Sequence, residues 1–216
     1  MKRAVIIANG KMENSPQVAS TIREAELIIA ADGGVHNCDA LGVQPDVIIG
    51  DLDSMGQDEV RRRQAAGVVV ARYPTHKDET DLELALQFAL KDEAREVVII
   101  GALGARWDMT IANVLLTAHA RFREVKIRIL DGTQELALLR PGEHLRLRNR
   151  AGDQISLIPL AGDAYGITTH GLEYPLNNET LRFGSPRGVS NVIIQAQAEV
   201  FFTEGLLLCI SDKRGK

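Results

Sequence analysis

As far as Leu130, short apolar runs alternate with longer periodic stretches. The runs "RAVIIA" (3–8), "ELIIAAD" (26–32), "PDVIIGD" (45–51), "GVVVARY" (67–73), "EVVIIGA" (96–102) and "VKIRIL" (125–130) read as strands. Most are β-branched and apolar on both faces, the pattern of parallel strands covered by helices. Helix signals fall between them. Ser15 before Pro16 predicts an N-cap with proline at the first helical position. Thr80 with Glu83 predicts a capping box opening "LELALQFAL", and Gly42 predicts the closure of a short helix over 35–41. Strand and helix repeated in this way imply right-handed crossovers and a doubly wound, mostly parallel sheet.

After Asp131-Gly132 the helical period stops. "ELALLR", "EHLRLR", "QISLIPL", "GITTHGLEY", "SNVIIQAQAEVFF" and "GLLLCIS" are strand-like and separated by Gly, Pro and Asn turns. This is the pattern of a small antiparallel β-sandwich. The expected organisation is α/β plus β, with an α/β domain over 1–131 and a β-sandwich domain over 132–216.

Composition narrows the partners. A chain of 216 residues with 45% hydrophobic and 25% charged positions has the make-up of a globular protein. The net charge of −4 argues against a chiefly electrostatic nucleic-acid binder. No run approaches the ~18 apolar residues of a membrane span. "MKRAVIIANG" carries too short an apolar run for a signal sequence. Cys38 and Cys209 share no metal-ligand spacing and read as reduced core thiols. A cytoplasmic protein without membrane or nucleic-acid partners is expected.

The chemistry lies where strands end. In "VIIGDLDSM" an apolar run exits into Asp51 and Asp53, whose side chains share one side if the chain stays extended. Two like charges so placed call for a cation. Asp32 in "ADGG", Asp78 and Asp81 in "KDETD", and Asp108 in "GARWD" also follow predicted strand ends. That edge is where open α/β sheets bind ligands. Oxygen donors without nearby Cys or His suit Mg2+ sharing its shell with phosphates. "DGG" (Asp32, Gly33, Gly34) and "GALGAR" (101–106) offer backbone N–H groups to an anion, though neither is a Walker A loop. Lys77 and Arg106 lie beside these acids. They are placed to clamp phosphate oxygens or simply to pair with the acids.

In order and content, "ADGGVHN" (31–37), "PDVIIGDLDS" (45–54), "KDETDLELAL" (77–86), "GALGARWDMTIAN" (101–113), "TTHGLEYPL" (168–176) and "GSPRGVSN" (184–191) resemble the thiamine pyrophosphokinase family. The resemblance implies an N-terminal α/β domain, a C-terminal β-sandwich, and a homodimer with sites at the subunit interface. It implies transfer of a diphosphoryl group from ATP to the hydroxyl of thiamine, giving thiamine diphosphate and AMP. Asp51, Asp53, Asp81 and Asp108 are then the metal-centred acids. Asp32, Gly33, Gly34, Lys77, Asp78, Thr80 and Arg106 would position phosphates or the waters around the metal. Tyr174, Ser190 and Asn191 would recognise thiamine, although their segment is also readable as a β-turn with a core tyrosine. One departure stands out: Met109 occupies the place where many bacterial relatives carry a His after Arg-x-Asp. His76 matches no family ligand and reads as a loop residue. An Asp-x-Asp pair also serves metal-dependent phosphohydrolases and nucleotidyltransferases. A silent thiamine- or nucleotide-binding regulator is the reading from a different class.

Overall fold

The computed structural model describes residues 2–53, 55–104, 106–147 and 151–213. It divides into two compact units, Met1–Gly132 and Thr133–Lys216.

The first unit alternates strand and helix: β1 (Arg3–Ile7), α1 (Pro16–Arg23), β2 (Leu27–Ala31), α2 (Gly34–Ala40), β3 (Val47–Gly50), α3 (Gln57–Ala65), β4 (Val69–Arg72), α4 (Asp81–Lys91), β5 (Glu96–Ile100), α5 (Trp107–Leu116) and β6 (Lys126–Asp131). The strands pair in parallel in the order β6-β5-β1-β2-β3-β4. From β1 to β4 the chain steps one way across the sheet, and from β5 to β6 it steps the other way. Right-handed crossovers therefore send α1–α3 to one face and α4 and α5 to the other. Val5, Ile7, Ala30, Ile48 and Val98 pack on the first face with Val18 and Ile22 of α1 and Val35 and Cys38 of α2. Each of these Val and Ile side chains contributes ~1.5–3 kcal/mol on burial. Leu82, Ala85, Leu86 and Ala89 bury α4, which lies against β1, β2 and β3. Burial also pushes the Cys38 thiol up to about 12, leaving it unreactive at neutral pH.

The helix ends follow the local chemistry. Ser15 Oγ accepts the Val18 N–H at 3.2 Å, and Pro16 opens α1. Gly42, at φ +67°, closes α2 through Gly42 N to Asp39 O (3.0 Å) and Val43 N to Cys38 O (2.9 Å), a Schellman pair. Only half of the Thr80 capping box forms. Thr80 Oγ1 accepts the Glu83 N–H at 3.2 Å, but the Glu83 carboxylate turns to Arg121 and Gln87 instead of back to the cap. One strand departs from the two-faced burial read from the sequence. β4 buries no residue because it is the sheet edge.

The second unit is antiparallel: β7 (Gln134–Leu139), β8 (Leu145–Leu147), β9 (Gln154–Pro159), β10 (Ala164–His170), β11 (Glu179–Leu181), β12 (Asn191–Val192), β13 (Ala198–Phe201) and β14 (Leu207–Asp212). β12-β9-β14-β7 and β11-β10-β13-β8 form two layers. Leu139, Ile155, Leu157, Leu207 and Cys209 of the first meet Ala164, Ile167, Leu181, Ala198 and Val200 of the second in one core. β9 alternates strictly between half-buried and buried positions, as a sandwich strand should. "SNVIIQAQAEVFF" makes two strands instead of one, because the chain leaves the first layer after Val192 and enters the other at Ala198. Arg148, the end of the expected "EHLRLR" strand, lies outside the described residues. In "GLLLCIS", Leu207, Leu208 and Cys209 are buried within the unit.

Candidate active site

The C-terminal edge of the first-unit sheet opens into a cleft of about 490 Å³. Its walls come from the turns after β1 (Asn9, Gly10), β2 (Asp32), β3 (Asp51) and β5 (Gly101–Gly104), from Thr75, Lys77 and Glu79–Leu82, and from Arg106, Met109 and Asn113 at α5. β1 and β5, adjacent in the sheet, lead to helices on opposite faces. The cleft therefore includes the topological switch point, where such sheets part to admit ligands.

Three of the expected acids converge. Asp32, Asp51 and Asp53 each bring a carboxylate oxygen to within 4.8 Å of the others. Extended chain does not achieve this. β3 ends at Gly50, and Leu52 takes φ +64° with its side chain buried. The Asp51 carboxylate then accepts the Asp53 N–H at 3.1 Å, an Asx-type turn. Asp32 stands at φ +46° directly after β2, its N–H bonded to Ile49 O at 2.7 Å. The electrostatics split the pair. The Asp53 N–H, helped by the Thr75 side chain and the Lys77 charge, holds the Asp51 carboxyl below its usual range. Repulsion from Asp51 first, and from Asp32 and Asp81 behind it, raises that of Asp53.

Asp81 and Lys77 sit alongside. Thr80 caps α4, so Asp81 occupies its first position, where the helix dipole favours an anion. Lys77 Nζ lies 3.0 Å from Asp81 Oδ1 and donates to Pro74 O at 3.1 Å. Asp81 Oδ1 is sealed from solvent and accepts no well-directed hydrogen bond from the described residues. Asp78 is exposed and takes no part in the cleft wall, whereas its neighbour Glu79 does.

Arg106 reaches the cleft rim from the N-cap of α5, but its guanidinium is forked onto Asp108 through Nη2–Oδ2 (2.5 Å) and Nε–Oδ1 (3.1 Å). This contact holds the Asp108 carboxyl below its usual range. Asp108 is thus Arg106's partner and stands apart from the acid cluster. Gly33 and Gly34 are also off the cleft wall. A Cβ on Gly34 would lie 2.0 Å from Ile7 O, and one on Gly33 2.3 Å from the Asn9 amide. These glycines let α2 start tight against the end of β1 and the Asn9 side chain.

In the second unit, Tyr174 lines a separate hollow of about 300 Å³ with Asn191, Arg187 and Leu157. Tyr174 is exposed, so it is not a core tyrosine. Asn191 is occupied locally: its Oδ1 accepts the Tyr174 N–H (3.0 Å) and its Nδ2 donates to Tyr174 O (2.7 Å). Ser190 is exposed at φ +61°, with its N–H on Ser156 Oγ at 3.0 Å. Its hydroxyl is not part of the hollow's wall. Sequence reasoning passed over Asn9, Thr75, Glu79 and Asn113 as cleft residues. Asn9 and Thr75 carry no signal beyond lying near a motif, whereas Glu79 and Asn113 stand inside "KDETDLELAL" and "GALGARWDMTIAN".

This architecture has close relatives. Residues 18–129 match the model of the thiamin pyrophosphokinase catalytic domain, and residues 144–207 that of the thiamin pyrophosphokinase vitamin B1 binding domain. Thiamine pyrophosphokinase of Bacillus subtilis (strain 168) is 32% identical over 97% of this chain and 98% of its own. A crystal structure of thiamine pyrophosphokinase from Bacillus subtilis superposes with a TM-score of 0.86 at 30% identity, over 99% of this chain and 100% of that one. That of Geobacillus thermodenitrificans reaches 0.82 at 28% identity, over 100% of this chain and 99% of the other. Matched along nearly its whole length, the chain belongs to the thiamine pyrophosphokinase family.

Proposed function

We propose that the protein transfers the diphosphoryl group of ATP to the primary hydroxyl of thiamine, releasing thiamine diphosphate and AMP. The observation that carries this reading is the convergence of Asp32, Asp51 and Asp53 on the switch-point cleft of a thiamine pyrophosphokinase chain.

The residues fit a divalent cation. Asp53 carries repulsion that its surroundings leave unrelieved, and Asp81 Oδ1 is a buried oxygen without a well-directed donor. Both are what a hard cation corrects, and all the donors are carboxylates. In this reading Asp51, Asp53 and Asp81 hold Mg2+ together with Asp32, whose carboxylate lies within 4.8 Å of those of Asp51 and Asp53. When bound, the ion neutralises triphosphate charge and so makes the β-phosphorus open to attack.

The chain's own groups then have defined tasks. Lys77, tethered between Pro74 O and Asp81, presents a fixed ammonium to phosphate oxygens. Arg106 offers a second cation at the rim, oriented by Asp108 rather than by a metal. The thiamine hydroxyl must approach in line with the departing AMP, and a carboxylate in the cleft takes its proton. Tyr174, Ser190 and Asn191 belong to thiamine recognition in this reading, Asn191 by holding the Tyr174 backbone. A cytoplasmic homodimer is part of the proposal. It is supported by two buried free thiols and by the exposed apolar residues of α5.

The test is incubation with Mg·ATP and thiamine, with all products resolved. AMP and thiamine diphosphate should form in a one-to-one ratio, and only when thiamine is present. ADP with thiamine monophosphate would mean attack at the γ-phosphorus and would refute the proposal.

A further inference from the structure

One buried polar side chain at the switch-point end of the cleft has an unused acceptor. Asn113 of α5 is only 6% exposed, yet it forms part of the cleft wall. Its Nδ2 donates to Ala102 O at 2.7 Å. A carbonyl can only accept, so this contact orients the amide and leaves Oδ1 as the group still available. Among the described residues none donates to that oxygen. A polar atom so placed needs a partner from solvent or ligand.

Its surroundings say what kind. Ala102, Leu103 and Met109 supply apolar wall at this end. Arg106 shares this end at the N-cap of α5, whereas the acids Asp32 and Asp51 follow β2 and β3 farther along the sheet. In the sheet order β5 lies three steps from β3, which is roughly 14 Å at ~4.8 Å per strand. A cleft with its acids at one end, and an apolar wall with one acceptor and a rim arginine at the other, matches a nucleoside triphosphate lying across the switch point. Phosphates meet the acids and their cation, and the base reaches α5. A base with an exocyclic amine can donate to Asn113 Oδ1. An oxo group in the same place would set oxygen against oxygen.

The geometry points to Asn113 as the specificity-determining residue that selects an amino-bearing base, adenine over an oxo-purine. This rests on the reading that a nucleotide occupies the cleft. Thiamine's aminopyrimidine carries the same donor chemistry, so the test must separate the two sources.

The experiment is direct titration of the wild-type protein with Mg·ATP and with Mg·ITP, which replaces the 6-amino donor by an oxo group and protonates N1, and separately with thiamine. The inosine nucleotide should bind at least about 5-fold more weakly, the scale of leaving a buried acceptor unpaired. Asn113→Leu should bring the two affinities close together, chiefly by weakening ATP, with thiamine affinity held. The ratio is internal to each protein, so general loss of binding does not imitate the effect. Equal affinity of the wild type for both nucleotides would overturn the inference whether or not the variant folds. A variant that keeps the ratio but loses thiamine would overturn it too, assigning the oxygen to the aminopyrimidine. Absence of binding by both nucleotides would remove the functional reading, and this inference with it.

Discussion

Asp51 accepts the backbone N–H of Asp53 at 3.1 Å, and this bond makes two neighbouring carboxylates unequal. Asp51 gains a donor that stabilises its charged form. Asp53 loses its N–H to that bond and faces the charge of Asp51.

The first prediction follows from that asymmetry. Asp53→Asn or Asp81→Asn should lower activity at least ~100-fold, the scale of removing a preorganised electrostatic contact. The stability of Asp53→Asn should move the other way. The folded state raises the pKa of Asp53 above its unfolded value, so the native protein binds that proton more tightly than the unfolded chain. The resulting destabilisation is complete above the raised value and fades as pH falls through it. At pH 7 without Mg2+, Asp53→Asn should therefore melt no lower than wild type. Added Mg2+ should raise the wild-type melting temperature more than the variant's. Equal increments in both would remove Asp53 from the metal site.

A second prediction concerns Arg106 and Asp108, whose forked contact couples their effects. Arg106→Lys loses the planar fork while keeping the charge, and should raise the KM for Mg·ATP. Asp108→Asn should act in the same direction by releasing the guanidinium. The double variant should cost less than the two single losses added together. Simple additivity of the two in kcat/KM would show that Asp108 acts independently of Arg106, as a metal ligand would.

The third prediction is oligomeric. Trp107, Ile111 and Leu115 stand at i, i+4 and i+8 along one stripe of α5, exposed by 82%, 57% and 48%. Among the described residues only Asn113 of this helix is buried. A second copy would cover such a stripe. Light scattering should give a dimer for the wild type, and Ile111→Glu should shift it towards monomer without changing helical content. An active wild-type monomer at micromolar concentration would contradict the homodimer.

The strands of the first unit were legible because burial on both faces demands runs such as "VVII" that few other structures use. Caps at Ser15, Gly42 and Thr80 were legible because each depends on one residue and its near neighbours. Pairing was harder to read. Nothing local separates Arg106 clamping a phosphate from Arg106 forked onto Asp108, since both need the same charge in the same place. The convergence of Asp51 and Asp53 was read from an extended chain, but a left-handed Leu52 produces it. Leucine gives no hint of positive φ. The role proposed for Asn113 was not legible, although "GALGARWDMTIAN" ends on it, because it depends on the Ala102 carbonyl that fixes its amide, a contact that exists only after folding.

The last prediction uses two opposed readouts at Ser190. Its φ of +61° is strained for a residue with a Cβ, and its N–H is already bonded to Ser156. Ser190→Gly should relieve that strain and leave the folding stability unchanged or higher by up to about 1 kcal/mol, read as an unchanged or raised melting temperature. Ser190→Ala retains the strain and should bring no such gain. Both variants remove the same hydroxyl. If that hydroxyl binds thiamine, each should lose roughly 0.5–1.5 kcal/mol of affinity, or about 2–13-fold in Kd, with the KM for Mg·ATP little changed. The glycine variant would then be at least as stable as wild type and still poorer at binding thiamine, a combination that damage to the fold does not produce. Unchanged thiamine titrations in both variants would mean that Ser190 serves only the turn, and recognition would have to rest on Tyr174 and the hollow that it lines.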